Sequence, residues 1–98
     1  MADLIWTEPA LRQLEEIADY IALDKPEAAA NVVRRIFEVT DNVEKFRCLG
    51  RPVPEFPHEQ YRQLWSSPCW IYYRITEETI YILHIRRAEG QFQLDAIT

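Results

Sequence analysis

Tyr61-Arg62-Gln63-Leu64-Trp65-Ser66-Ser67-Pro68-Cys69-Trp70-Ile71-Tyr72-Tyr73-Arg74-Ile75-Thr76-Glu77-Glu78-Thr79-Ile80-Tyr81-Ile82-Leu83-His84-Ile85-Arg86-Arg87 reads as three short strands and two turns. Tyr61–Trp65 alternates polar with apolar residues, and Ser66-Ser67-Pro68 supplies turn chemistry. Trp70–Ile75 is dense in aromatic and β-branched side chains, Thr76–Thr79 turns again, and Ile80–Ile85 closes the set. Period-two spacing places Trp70, Tyr72 and Arg74 on one face of the second strand and Ile71, Tyr73 and Ile75 on the other. Uninterrupted alternation in the third strand segregates Ile80, Ile82, His84 and Arg86 from Tyr81, Leu83, Ile85 and Arg87. Neither face is purely polar, so one is expected to pack on the rest of the domain and the other to meet a partner or a substrate. An apolar second face also predicts that the free chain self-associates.

Upstream of this meander, Gly50–Gln60 carries three prolines, Pro52, Pro54 and Pro57, which oppose regular structure and favour a stiff, extended crossing. Before it come two helical patterns. In the first, Thr7 is the N-cap and Pro9 falls in the first turn. Leu11, Leu14, Ile17, Ala18 and Ile21 recur at helical spacing, opposite Arg12, Gln13, Glu15, Glu16 and Asp19. That helix ends near Leu23, and Asp24-Lys25-Pro26 breaks the chain. In the second, Ala29, Val32, Val33, Ile36, Val39 or Thr40, Val43 and Phe46 trace the stripe. A break this short makes the pair an antiparallel hairpin. Leu4-Ile5-Trp6 suits an opening strand, and the tail after Arg87 is patterned too weakly to choose between an edge strand and a mobile end. The expected fold is α+β, in the order β-α-α-β-β-β, with the helical hairpin packed on a small, mainly antiparallel sheet.

Ninety-eight residues make one domain spanning 1–98, and 48% hydrophobic content with three Trp, five Tyr and four Phe indicates a chain that buries a core. No apolar run approaches the roughly 20 residues needed to cross a bilayer, and Met1–Leu4 lacks the pattern of a secretory signal. A cytoplasmic location follows, with no membrane partner and with Cys48 and Cys69 reduced. The net charge of −5 is unevenly placed: residues 1–46 hold ten acidic and five basic side chains, whereas residues 47–98 hold six of each. All six cations of the second part are arginines, namely Arg47, Arg51, Arg62, Arg74, Arg86 and Arg87. Arginine beside aromatics suits planar or bidentate recognition better than diffuse attraction to a polyanion. His58, Cys48 and Cys69 lack metal-ligand spacing, and two glycines in the chain leave no phosphate-cradling loop. No cofactor is expected.

Several segments then line up with one family: Trp6-Thr7, Leu14–Ile21, Pro26-Glu27-Ala28-Ala29, Gly50-Arg51-Pro52-Val53-Pro54-Glu55, Tyr61-Arg62-Gln63-Leu64, Tyr72-Tyr73-Arg74-Ile75 and Ile82-Leu83-His84-Ile85-Arg86-Arg87. Over residues 4 to 87 the chain resembles the ParE/RelE superfamily of bacterial toxins, and more closely its ParE (plasmid stabilisation) branch. The resemblance implies the toxin half of a type II toxin–antitoxin pair. Its antitoxin wraps an extended and helical segment around the toxin, and the complex reaches operator DNA through the antitoxin. ParE-branch toxins poison DNA gyrase by binding. RelE-branch toxins cut mRNA in the ribosomal A site without a metal.

On this reading Arg51, Arg62, Arg74, His84, Arg86 and Arg87 are the candidates for binding target or antitoxin, and no residue is catalytic. The alternative, a ribosome-dependent endonuclease, needs a base, an acid and cations around the phosphorane. His84, Arg62, Arg74 and Arg86 would serve it, with His58 and Glu55 as further proton-transfer groups. Against it stand the absence of any Lys beyond Lys45 and the net negative charge. The chain departs from the family pattern at Ile85, where glycine is usual, and in a tail carrying Glu89 and Asp95. A non-toxic, antitoxin-binding relative is therefore a third reading. The plainer reading of each site residue is structural: a half-buried histidine at 84, and solvated or ion-paired arginines elsewhere.

Overall fold

The computed structural model describes residues 3–56 and 60–88. β1 (Asp3–Trp6) leads into α1 (Glu8–Ala22) and α2 (Pro26–Lys45), followed by β2 (Arg51–Pro52), β3 (Tyr61–Ser66), β4 (Cys69–Ile75) and β5 (Thr79–Arg87). The sheet order is β1-β5-β4-β3-β2, with β1 parallel to β5 and every other pairing antiparallel. This is the α+β arrangement expected from the sequence. The one addition is β2: the proline-rich crossing spares two residues, which pair as Arg51 with Gln63 and Pro52 with Arg62. His58 and the tail from residue 89 onward, whose assignment was left open, lie outside the described residues.

The helices form because their apolar residues repeat at 3.6-residue spacing and each begins with proline in its first turn. Ala10 and Leu14 of α1, with Val32, Ile36 and Val43 of α2, are buried against Cys69, Ile71, Tyr73, Ile80, Ile82 and Ile85 of the sheet. The expected stripes shift slightly at their ends. Leu11 and Phe46 are exposed, because Ala10 takes the inward position in α1 and Phe46 lies beyond the last turn of α2. At position 39/40 it is Thr40 that is fully buried, and its hydroxyl donates to the Phe37 carbonyl at 3.0 Å.

Thr7 does occupy the N-cap of α1, yet its hydroxyl makes no capping bond. It donates instead to the Ile82 carbonyl at 2.8 Å, which also accepts the Thr7 N–H at 3.1 Å. Gln13, assigned by periodicity to the solvent side of α1, turns toward the sheet. Its Oε1 accepts the Ile85 N–H at 2.8 Å, beyond the point where β1 stops covering β5. Gln13 thus supplies a partner for a backbone N–H that the short β1 leaves over, whereas the Thr7 hydroxyl adds a second donor to a carbonyl that is already bonded.

Alternation in β4 runs as expected, but β5 departs from it. Ile82 pairs with Tyr73 and His84 pairs with the adjacent Tyr72, so Leu83 is an extra residue, a β-bulge. The predicted segregation of Ile82 with His84 and Arg86 is therefore incorrect. Ile80, Ile82 and Ile85 face the helices, while His84 and Arg86 pass to the other face. The apolar demand of the core is the reason: after Ile82 the next residue that fits it is Ile85, three positions on. Ile85, the position at which the sequence departs from the family pattern, is buried in the core.

Candidate partner-binding face

Register across the three long strands arranges the face away from the helices in rows. Tyr61, Arg74 and Tyr81 form one row, which Ile5 of β1 continues; Gln63, Tyr72 and His84 form the next, which Arg51 of β2 continues; Trp65, Trp70 and Arg86 form the third. Residues directly opposite on one face of an antiparallel pair lie within side-chain contact. The bulge is what brings His84 and Arg86 into these rows.

Much of this face is not open. Val53, which follows β2, is fully buried and lies with Phe56 over Tyr72, Tyr61, Trp70 and Leu83 as a second, smaller core. The Phe56 and Tyr61 rings sit 5.5 Å apart, and Tyr72 is 2% exposed. The proline-rich crossing is thus a cover as well as a connection. It takes Tyr72 out of the apolar surface from which self-association was expected, while Trp65 and Ile5 on the same face stay exposed.

Arg86 lies beside Tyr72, its Nε donating to the phenol oxygen at 2.9 Å and its guanidinium carbon 5.8 Å from the ring centroid. His84 stands 5.7 Å from the same ring, and its Nδ1 is buried without a hydrogen-bond partner among the described residues. Burial, and secondarily the Arg86 charge, hold this imidazole below its ordinary pKa of 6.5 and so favour its neutral form. Burial also raises the Tyr72 phenol; the Arg86 hydrogen bond and charge oppose that rise, and the Glu55 carboxylate adds to it. Glu55 is exposed above this cluster.

The remaining candidates separate. Arg74 is exposed on the open face. Arg51, also exposed, rims a groove of about 540 Å³ lined by Leu49, Gln63, Trp65 and Trp70, where the two indoles meet at 5.1 Å. Arg62 and Arg87 point the other way. Arg62 lies on the helix side and donates to the Gly50 carbonyl at 2.9 Å. Arg87 pairs in register with Cys69 and stacks over Tyr20 of α1 at 4.2 Å. Arg62 and Arg74 are neighbours in strand order but on opposite faces, because Arg62 pairs with Tyr73 and not with Arg74.

Sequence reasoning missed two anchors of this site. Tyr73 accepts the Gly50 N–H at 2.8 Å and donates to the Arg47 carbonyl at 2.8 Å. Arg47 in turn donates to the Glu77 carbonyl at 2.7 Å. These bonds set where the chain leaves α2 and therefore where Val53 lands. The only signal for them in the sequence was a Tyr in an otherwise aliphatic core row.

The profile of the family described as ParE toxin of type II toxin–antitoxin system, parDE, matches residues 4–92. The chain belongs to the ParE toxin family. Y4kP of Sinorhizobium fredii, named as a candidate toxin, is 38% identical over 87 residues, covering 89% of this chain and 88% of its own. Among solved structures, a chain of the chromosomal ParDE toxin–antitoxin system from P. aeruginosa aligns with a TM-score of 0.73 at 32% identity, over 91% of this chain and 98% of that one. A chain of the RelBE2 toxin–antitoxin complex from Mycobacterium tuberculosis aligns with a TM-score of 0.61 at 19% identity, over 88% and 96%, and shares the fold. The ParE/RelE resemblance read from the sequence, with ParE as the nearer branch, is therefore correct. Among the described residues no helix is long and apolar enough to cross a membrane, and no cluster of His, Cys, Asp or Glu suits a metal ion.

Proposed function

We propose that this ParE-family toxin acts in the cytoplasm by binding, with DNA gyrase as its target and a cognate antitoxin as its inhibitor. The observation that carries this reading is the division of the cations. Arg51 and Arg74 are exposed on the face away from the helices, beside Trp65, Trp70, Tyr61 and Tyr81. Such groups suit a carboxylate-bearing protein surface, and one charge-assisted bond of this kind contributes roughly 1.5–3 kcal/mol when desolvated, less when solvated. Operator DNA is reached only through the antitoxin, in keeping with the net charge of −5.

The nuclease alternative draws on His84, Tyr72, Arg86 and Arg74 sharing one face. It is the weaker reading because its parts are engaged elsewhere. Arg62 is held behind the sheet on Gly50, Arg86 is bonded to Tyr72, and the His84 Nδ1 is sealed from solvent. A general base needs reach to the proton it removes.

Induced expression in a bacterial host tests the proposal. Growth arrest with broken chromosomal DNA, intact mRNA and rescue by the co-expressed antitoxin is the expected result. Cleavage of mRNA within ribosome-bound codons, abolished by His84→Ala, would replace it with the nuclease reading. Harmless expression would leave a non-toxic, antitoxin-binding relative.

A further inference from the structure

The two edges of the sheet are built differently. β2 ends one edge with Pro52, whose missing N–H removes the donor that an added strand would need, and Pro54 follows two residues on. β1 ends the other edge with Asp3-Leu4-Ile5-Trp6 and has no proline, no lysine and no bulge. Asp3 donates its N–H to the Glu78 carbonyl at 2.8 Å, and Thr7 donates to the Ile82 carbonyl at 3.1 Å. Alternate residues Asp3, Ile5 and Thr7 therefore turn their backbone groups inward to β5. By the same alternation Leu4 and Trp6 turn theirs outward, where no described residue meets them.

We propose that this edge pairs antiparallel with the same edge of a second copy of the chain, about a two-fold axis through Ile5. The register is self-complementary. Leu4 of each copy faces Trp6 of the other, so that the outward N–H and C=O groups of both residues are satisfied at once. Ile5 then meets Ile5 in the intervening position, where opposed side chains approach most closely. Ile5 is 42% exposed on the face away from the helices. Phe37 is 38% exposed beside the edge, with its ring 5.0 Å from that of Trp6. Pairing covers both. The symmetry of a C2 interface requires such a self-matching patch. Four residues of strand make a small contact, so the pair forms reversibly with concentration and is not obligate. This route to self-association differs from packing through the second face, and it does not depend on what the toxin poisons.

Sedimentation equilibrium of the purified, antitoxin-free chain from micromolar to millimolar concentration tests it. A reversible dimer is expected. Ile5→Lys, which sets two ammonium groups face to face across the axis, weakens it about tenfold or more. As a positive arm, Ile5→Cys with Cys48→Ser forms a covalent dimer on mild oxidation, because two opposed Cβ atoms at such a position lie within disulfide reach. Position 5 is solvent-exposed, so neither substitution removes a core side chain. A monomer at millimolar concentration, or a dimer that Ile5→Lys leaves intact, overturns the proposal. So does protection of the Leu4 amide from exchange that appears only when antitoxin is added, which would assign the edge to an antitoxin strand.

Discussion

The Tyr73 hydroxyl joins Gly50 to Arg47, accepting the Gly50 N–H and donating to the Arg47 carbonyl, each at 2.8 Å. This single buried phenol fixes the path of the chain as it leaves α2 for β2. Removing it takes the partner from the buried Gly50 N–H and from the part-buried Arg47 carbonyl. Tyr73→Phe is expected to lower stability by about 1–3 kcal/mol with the fold retained, read by urea denaturation monitored by circular dichroism. An unchanged midpoint would mean that both groups find other partners.

Gly50 is required at the same junction for space, not for an unusual backbone angle. A Cβ placed there would lie 2.7 Å from the Gln63 carbonyl oxygen and 3.0 Å from the Tyr73 ring and hydroxyl. The nearest atom is backbone of β3 and cannot rotate away. Gly50→Ala should destabilise by about 1–3 kcal/mol and displace the Val53 cover from Tyr72, raising exposure of the tyrosine to solvent quenchers. Wild-type stability and quenching in this variant would show that the junction yields.

Stability should fall on both sides of neutrality, for opposite proton reasons. The folded chain holds His84 below its ordinary 6.5, chiefly by burial, so the unfolded chain binds the proton more readily. The contribution is complete above pH 6.5 and is lost as the pH drops through the folded value. His84→Gln removes this acid-side loss. At the alkaline side the folded chain holds the Tyr72 and Tyr73 protons above their ordinary 10.0, again mainly by burial. The unfolded chain then releases protons first, and stability declines as the pH rises beyond 10. Chemical denaturation across pH 4.5 to 11 reads both limbs; an acid limb that persists in His84→Gln would assign it to other groups.

The two exposed arginines of the open face give the sharpest test of the site. Arg74→Ala and Arg51→Ala should each weaken binding of antitoxin or target by about tenfold, since 1.4 kcal/mol is a factor of ten, while leaving the melting temperature unchanged. Arg62→Ala should do the reverse, costing stability through the Gly50 carbonyl it holds. Calorimetric titration alongside thermal unfolding separates the two. Unchanged affinity in Arg74→Ala would remove that residue from the interface.

The sequence carried the element order because each element has its own period: alternating residues in β3 and β4, helical spacing in α1 and α2, and prolines between them. It did not carry the faces of β5. A period-two reading continues through Leu83, whereas the core needs Ile80, Ile82 and Ile85, and only the pairing with β4 reveals the extra residue. This one shift relocates His84, Arg86 and Arg87, half of the six candidate site residues. Thr7 and Gln13 were legible as a cap and a surface residue by local rules. Both turn to β5, Gln13 to an N–H left over beyond a four-residue β1 and Thr7 to the Ile82 carbonyl, contacts set by tertiary structure alone. Arg62 and Arg74 looked alike in sequence; register put one on Gly50 and the other in solvent.

The most direct test of the proposed target is DNA supercoiling by purified gyrase with increasing amounts of this chain, in the presence and absence of its antitoxin. A gyrase-binding toxin gives loss of supercoiling with accumulation of cleaved DNA, reversed by antitoxin and weakened in Arg74→Ala. Undiminished supercoiling at toxin in large excess over gyrase would contradict that target.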